Sequence, residues 1–386
     1  MTQQAEDWIA LSDPDISQCE LDLAGQVLCS KRISAGEMVE RFEDTFAESL
    51  GRRYAVAVSG GTAGLMVALR ALGIGPGDEV IASAYGWHQI VHAIALVGAT
   101  PVLADIDYWS NTLAPDKAAQ KITVRTRAIV AGNCNGHPAA WQPLRALAAQ
   151  HGLALIEDSA EAIGSRYLGA PVGTFGDLSV FDFSQPGPLV CGEGGMVVTD
   201  DPQLASELRY FRGRDLEERF SVSIAGRLPL QARMSDLTAA VGLAQLERID
   251  EILARRKRTE ALYRQHILSF EGIKPAYIAP EADEVHWMVW LVHLGTRFTR
   301  SARDQLVDDL LTAHIEAPAY CNPLHQQYFY STLGWRRGDL PVTEKIADRA
   351  LVLPFHAHLD EETVAFIVQT AKDASVNVGA GAAIYL

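Results

Sequence analysis

The sequence predicts an α/β protein built on a mostly parallel sheet with helices on both faces. Three observations lead there. Strand-length apolar runs alternate with helix-length amphipathic stretches throughout 54–158, the order that parallel strands with crossover helices require. Leu153-Ala154-Leu155-Ile156 is continuously apolar, as strands buried on both faces are. Tyr54 to Val58 runs into Ser59-Gly60-Gly61-Thr62 and then a helix from Ala63 to Leu72. A strand, a Gly-rich turn and a helix N-terminus together favour an anion, because free N–H groups and the helix dipole point at one spot.

In chain order, residues 1–15 read as a loose arm. Ser34 and Glu37 have capping-box spacing, and Val39, Phe42, Phe46 and Leu50 follow at helical intervals, so 35–50 is an amphipathic helix. After the anion-type turn, Gly73 to Asp78 is a turn cluster. Glu79–Ala84 is a strand, Gln89–Val97 a helix, and Pro101–Ile106 and Ala128–Gly132 are further strands. A helix at 141–150 leads to the buried run ending in Glu157-Asp158. Ligands of such sheets sit at the carboxyl ends of the strands, where Gly61, Trp87, Asn133 and Asp158 all fall.

Two more apolar runs flank Ser184-Gln185-Pro186-Gly187-Pro188, a loop stiffened by proline on both sides of Gly187. Beyond it, 202–212 is helical and 213–230 is charged and irregular, a lid or subunit contact. Arg233-Met234-Ser235-Asp236 starts a long helix that turns basic at Arg255–Arg258, a natural domain boundary. Val285–Leu294 reads as a strand, 302–313 and 360–374 as helices, and the last dozen residues as a fraying end. The expected division is an arm over 1–15, a large α/β domain over 16–250 and a small α/β domain over 251–386.

The chain has 386 residues, 48% of them hydrophobic, enough for two domains with substantial cores. A net charge of -15 argues against nucleic acid or anionic membrane as a partner. No apolar run has membrane-spanning length, and the polar N-terminus is not a signal peptide. Five scattered cysteines fit free thiols in a cytoplasmic protein, without metal-ligand spacing. Residues 59–64 lack the glycine spacing of a nicotinamide-binding Rossmann turn.

The combined motifs resemble the DegT–StrS family of sugar aminotransferases, fold-type I pyridoxal-phosphate (PLP) enzymes. They are Ser59-Gly60-Gly61-Thr62-Ala63, Gly98-Ala99-Thr100-Pro101-Val102 with Asp105-Ile106-Asp107, and Ile156-Glu157-Asp158-Ser159-Ala160. Further along come Gly192-Glu193-Gly194-Gly195, Arg233-Met234-Ser235-Asp236-Leu237 with Gln245-Leu246, and Pro323-Leu324-His325. The resemblance implies a seven-stranded sheet, a small C-terminal α/β domain, a homodimer with shared sites, and work on nucleotide-linked keto-sugars. It further implies that Gly61 and Thr62 hold the cofactor phosphate and Trp87 stacks on its ring. Asp158 would pair with the ring nitrogen, keeping it protonated.

Four positions depart from the family. Its Schiff-base lysine falls at Gly187, and no lysine occurs between Lys121 and Lys257. Its phosphate-binding serine falls at Asp182, the asparagine contributed by the partner subunit at Gln231, and the histidine after strand 128–132 at Asn133. A carboxylate about 4 Å from a phosphate charge costs roughly 4 kcal/mol at an effective dielectric of 20.

From this the sequence leads to an enzyme that keeps the aminotransferase fold, has lost transamination and retains no cofactor. It would do acid–base chemistry (dehydration or cyclisation) on a sugar-like or polyketide-like small molecule through His88, Asp158, Asp182 and Glu161. The first alternative is a dehydratase or aminotransferase-like enzyme holding pyridoxamine phosphate (PMP) or PLP without a covalent bond. The second is a non-catalytic partner of a true aminotransferase.

Overall fold

The computed structural model describes residues 8–34, 36–213, 227–267, 273–275 and 277–383. The charged stretch expected to form a lid falls largely on 214–226, and the start of the expected arm on 1–7, outside the described residues.

Among the described residues, twelve strands are numbered in chain order. β1 is Tyr54–Val58, β2 Glu79–Ser83, β3 Thr100–Ala104 and β4 Thr126–Gly132. β5 is Ala154–Asp158, β6 Arg166–Tyr167, β7 Ala170–Pro171 and β8 Leu178–Asp182. β9 is Gly195–Thr199, β10 Ile273–Pro275, β11 Trp290–Leu294 and β12 Ala350–Leu353. β1 to β5 with β8 and β9 make a seven-stranded sheet in the order β1-β9-β8-β5-β4-β2-β3. Only β9 runs against its neighbours; the other pairings are parallel. The expected fold class is observed, and so is the stiff loop, which joins β8 to the antiparallel β9.

Side chains alternate across this sheet. Val56, Val80, Val130, Ile156 and Val180 face a core shared with the helices Gly61–Ala71, Gln89–Leu96 and Pro202–Arg212. On the opposite face Ala57, Phe181 and Met196 pack against Phe42 and Phe46 of the helix Glu37–Leu50. There too Ile129 and Leu155 meet Trp141 and Leu144 of the helix Trp141–His151. Gly195 allows a close backbone approach: a Cβ there would lie 2.9 Å from the carbonyl carbon of Gly60. It thereby brings the turn after β1 against β9.

A second, three-stranded sheet, β10-β11-β12, buries Val292, Leu351 and Leu353 against helices Ile249–Ile267, Arg300–Thr312 and Glu361–Ala383. The expected strand over 285–294 is shorter, because 285–289 bond to other elements: His286 N–H donates to Ser165 Oγ and Val289 N–H to Asn135 Oδ1, both at 2.9 Å, and Arg256 takes the carbonyls of Trp287 and Met288. The long helix expected from Arg233–Asp236 begins at Asp236 and breaks at Arg248 (φ -109°, ψ 8°) into Asp236–Glu247 and Ile249–Ile267. The Arg248 guanidinium is held there by Asp15 at 2.9 Å and Glu20 at 2.7 Å. The last helix continues to Ala383 where fraying was expected. No helix among the described residues is long and apolar enough to cross a membrane, and no group of three or more potential metal ligands occurs among them.

Candidate active site

The carboxyl ends of β1, β2, β4, β5 and β8 converge on one cleft. Its cavity is lined by Trp87, Asn111, Asn133, Asp158 and Glu161, among others. Asp158 ends β5, the strand at the middle of the sheet. Burial pushes its carboxyl up to about 7, against hydrogen bonds that pull the other way. Those bonds come from Gln89, whose Nε2 donates to both oxygens at 3.0 and 2.8 Å, and from the Ala160 N–H at 3.0 Å.

The anion-type turn is formed as expected, and its anion comes from the chain itself. Asp182 Oδ2 accepts the Gly61 N–H at 2.6 Å, at the head of the helix Gly61–Ala71. Its Oδ1 accepts from the N–H of Ser184 at 2.8 Å and from the Ser184 hydroxyl. Gly61 has to be glycine: a Cβ would lie 2.7 Å from Asp182 Oδ2 and closer still to Gln89 Oε1. Thr62, next along, is half-buried.

Trp87 is half-buried on the cavity wall, and its N–H donates to Glu161 Oε1 at 3.1 Å. Glu161 Oε2 accepts the Asn135 N–H and the Tyr320 hydroxyl, the latter at 2.5 Å. Burial raises its pKa. Both oxygens are thus tied to groups that hold the cleft walls together. His88 is exposed, stacked on Trp87 with ring centroids 5.8 Å apart and against His92 at 4.7 Å; it does not line the cavity. Gln231 is likewise exposed and outside the cavity lining.

Asn133 is fully used by the scaffold. Its Oδ1 accepts from Ala139 N–H and Trp141 Nε1, both at 2.9 Å, and its Nδ2 donates to Glu157 and Ser159, both at 3.0 Å. The structure thus gathers Asp158, Glu161, Trp87, Gly61 and Asp182 and leaves His88 and Gln231 on the surface. Two residues the sequence did not single out are central, Gln89 and Tyr320. Gln89 stands two positions after Trp87, which is the only local signal for it.

Residues 14–372 match the model of the DegT/DnrJ/EryC1/StrS aminotransferase family. The chain belongs to that family. It is 34% identical over 369 residues to GDP-perosamine synthase of Escherichia coli O157:H7, covering 95% of this chain and 98% of that one. Among solved structures it resembles S. venezuelae DesV in complex with a ketimine intermediate, with a TM-score of 0.84, 33% identity and coverage of 92% and 94%. It also resembles the PMP form of the putative sugar aminotransferase Spr1654 from Streptococcus pneumoniae, with a TM-score of 0.89, 25% identity and coverage of 96% and 100%.

These relatives overturn two expectations: that the family's transamination has been lost, and that no cofactor is kept. Both rested on Gly187 at the tether position together with the carboxylate of Asp182 at the phosphate position. In the structure the anion-type turn is formed, with Asp182 itself accepting the Gly61 N–H at the helix N-terminus.

Proposed function

We propose that this chain is a pyridoxal-cofactor-dependent enzyme acting on nucleotide-linked sugars, with amination of a keto-sugar as its reaction. The observation that carries this reading is Asp158: a buried carboxyl at the end of the central strand, on the cavity wall beside Trp87. The donor set fits the cofactor at both ends once Gln89 and Asp182 turn aside. Asp158 would meet the ring nitrogen, Trp87 the ring face, and the N–H groups of Gly61 and Thr62 the phosphate. The cofactor supplies the amine and the electron sink.

The chain's own contribution is positioning. Glu161 fixes the Trp87 backbone, and Tyr320 and Asn135 fix Glu161. Asn111 lines the cavity with a buried Oδ1 that has no partner, an acceptor for a sugar hydroxyl. At the tether position stands Gly187, so the cofactor is held without a covalent link, and PMP is the form that arrives with its own amine. That same feature keeps a second reading, a PMP-dependent dehydratase on the same substrate class. A homodimer, in which a second copy brings Gln231 to the cleft, completes the proposal, together with a cytoplasmic setting and the division at 16–250 and 251–386.

The test is incubation with PMP and a nucleotide-linked keto-sugar, followed by mass spectrometry of the sugar. Replacement of the keto oxygen by an amine supports amination, and loss of water supports the dehydratase. An unchanged sugar together with no PMP-dependent absorbance change sinks both.

A further inference from the structure

We propose that the cofactor is an exchangeable ligand of this chain, not a resident group, because Gln89 and Asp182 take its place whenever it leaves. The inference rests on the cofactor reading above.

A departing pyridoxal-type cofactor uncovers two buried polar features: the carboxylate facing the ring nitrogen, and the helix N–H groups facing the phosphate. A buried polar group left unpaired is expensive, and that expense normally opposes departure. Here both features are satisfied from within. The Gln89 amide bridges the two oxygens of Asp158, where a ring N–H would otherwise donate. Asp182 supplies the anion at Gly61 N–H and is itself held by Ser184. The two stand-ins close on one another over Gly61, so tightly that no Cβ fits there. The cavity beside Asp158 and Trp87 measures about 20 Å³. Both sets of buried polar groups are therefore paired within the chain.

Position 187 removes the other source of retention. Gly187 has no side-chain amine, and this is not a matter of space: the nearest atoms to a Cβ there are carbonyl oxygens at 3.5 and 3.7 Å, and the residue is not in the left-handed region. Loading then requires Gln89 to yield Asp158 to the ring nitrogen. It also requires Asp182 to yield the helix N-terminus to a phosphate that its own charge repels.

The experiment is equilibrium dialysis of the full chain against PMP, followed by desalting. It is run on wild type, Gln89→Ala, Asp182→Ser, the charge-only variant Asp182→Asn, and Gln89→Ala combined with Asp182→Ser. Wild type is expected to bind PMP reversibly and lose it on desalting. Asp182→Ser and Asp182→Asn should bind roughly tenfold tighter or more, and the double variant should retain PMP through desalting. The cofactor-free double variant should also melt at a lower temperature than wild type and regain the difference with PMP.

Wild-type protein that keeps PMP through desalting overturns the proposal. So do variants that fold, bind PMP and bind it no tighter than wild type. If neither wild type nor any variant binds PMP, the cofactor reading fails first and takes this one with it.

Discussion

Glu157 and Asp158 are adjacent carboxylates on the same central strand, both buried, and they do opposite work. A strand sends successive side chains to opposite faces. Glu157 therefore points into the scaffold and accepts six hydrogen bonds, from Asn133, Ser159, Ser179 and the N–H groups of Gly173, Phe175 and Gly176. Asp158 points to the cleft and accepts from two partners, Gln89 and Ala160. Burial is shared; saturation is not. A carboxylate whose lone pairs are all taken is architecture, whereas one buried with capacity to spare, beside a side chain that can turn away, is chemistry waiting for a ligand.

The largest effect should come from the saturated member. Glu157→Ala strands six donors in the interior and should cost about 5 kcal/mol, read as a collapse of the urea midpoint or failure to fold. A variant that loses less than about 1 kcal/mol would mean that water or neighbours satisfy those donors readily, and the contrast would fail.

Asp158 should respond to pH instead. Its native pKa, about 7, lies above its reference value of 3.8, so the folded state holds the proton more tightly than the unfolded chain does. This contribution to stability is fully present below about pH 4, declines as pH rises and is gone above about 7. The total is on the order of 4 kcal/mol. Relative to Asp158→Asn, which has no such proton, the wild-type urea midpoint should fall steadily across that window. Parallel pH curves for the two proteins would place Asp158 with Glu157 as a scaffold group.

Much of this arrangement was legible in the sequence, and the illegible part has a common cause. The alternation of strand and helix, the anion-type turn at Gly61 and the strand-end position of Asp158 are local patterns, and all are observed. The capping box in which Ser17 caps the helix Gln18–Leu28 and Glu20, in its first turn, reaches back to Ser17 is equally local. What no local pattern carries is pairing across the chain. Gln89 meets Asp158, Asp182 meets Gly61, and Tyr320 meets Glu161 only once the sheet is assembled. The misjudged fate of the cofactor followed from this. That Asp182 takes the Gly61 N–H and is held by Ser184 is a product of the fold.

Glu161 lies between the two extremes and gives the finest test of the contrast. It lines the cavity like Asp158, yet both its oxygens are engaged, one of them by a hydroxyl that arrives from near the second sheet. Tyr320→Phe removes that one donor without opening a cavity. A hydrogen bond to a carboxylate is worth about 1.5–3 kcal/mol. The loss on removing it should be of that order. It should appear as a small drop in urea midpoint, with PMP affinity weakened because Trp87 hangs from the same carboxylate. If stability falls and PMP affinity holds, Glu161 braces the walls and nothing more. If PMP affinity falls while stability holds, Glu161 has spare capacity after all and belongs with Asp158.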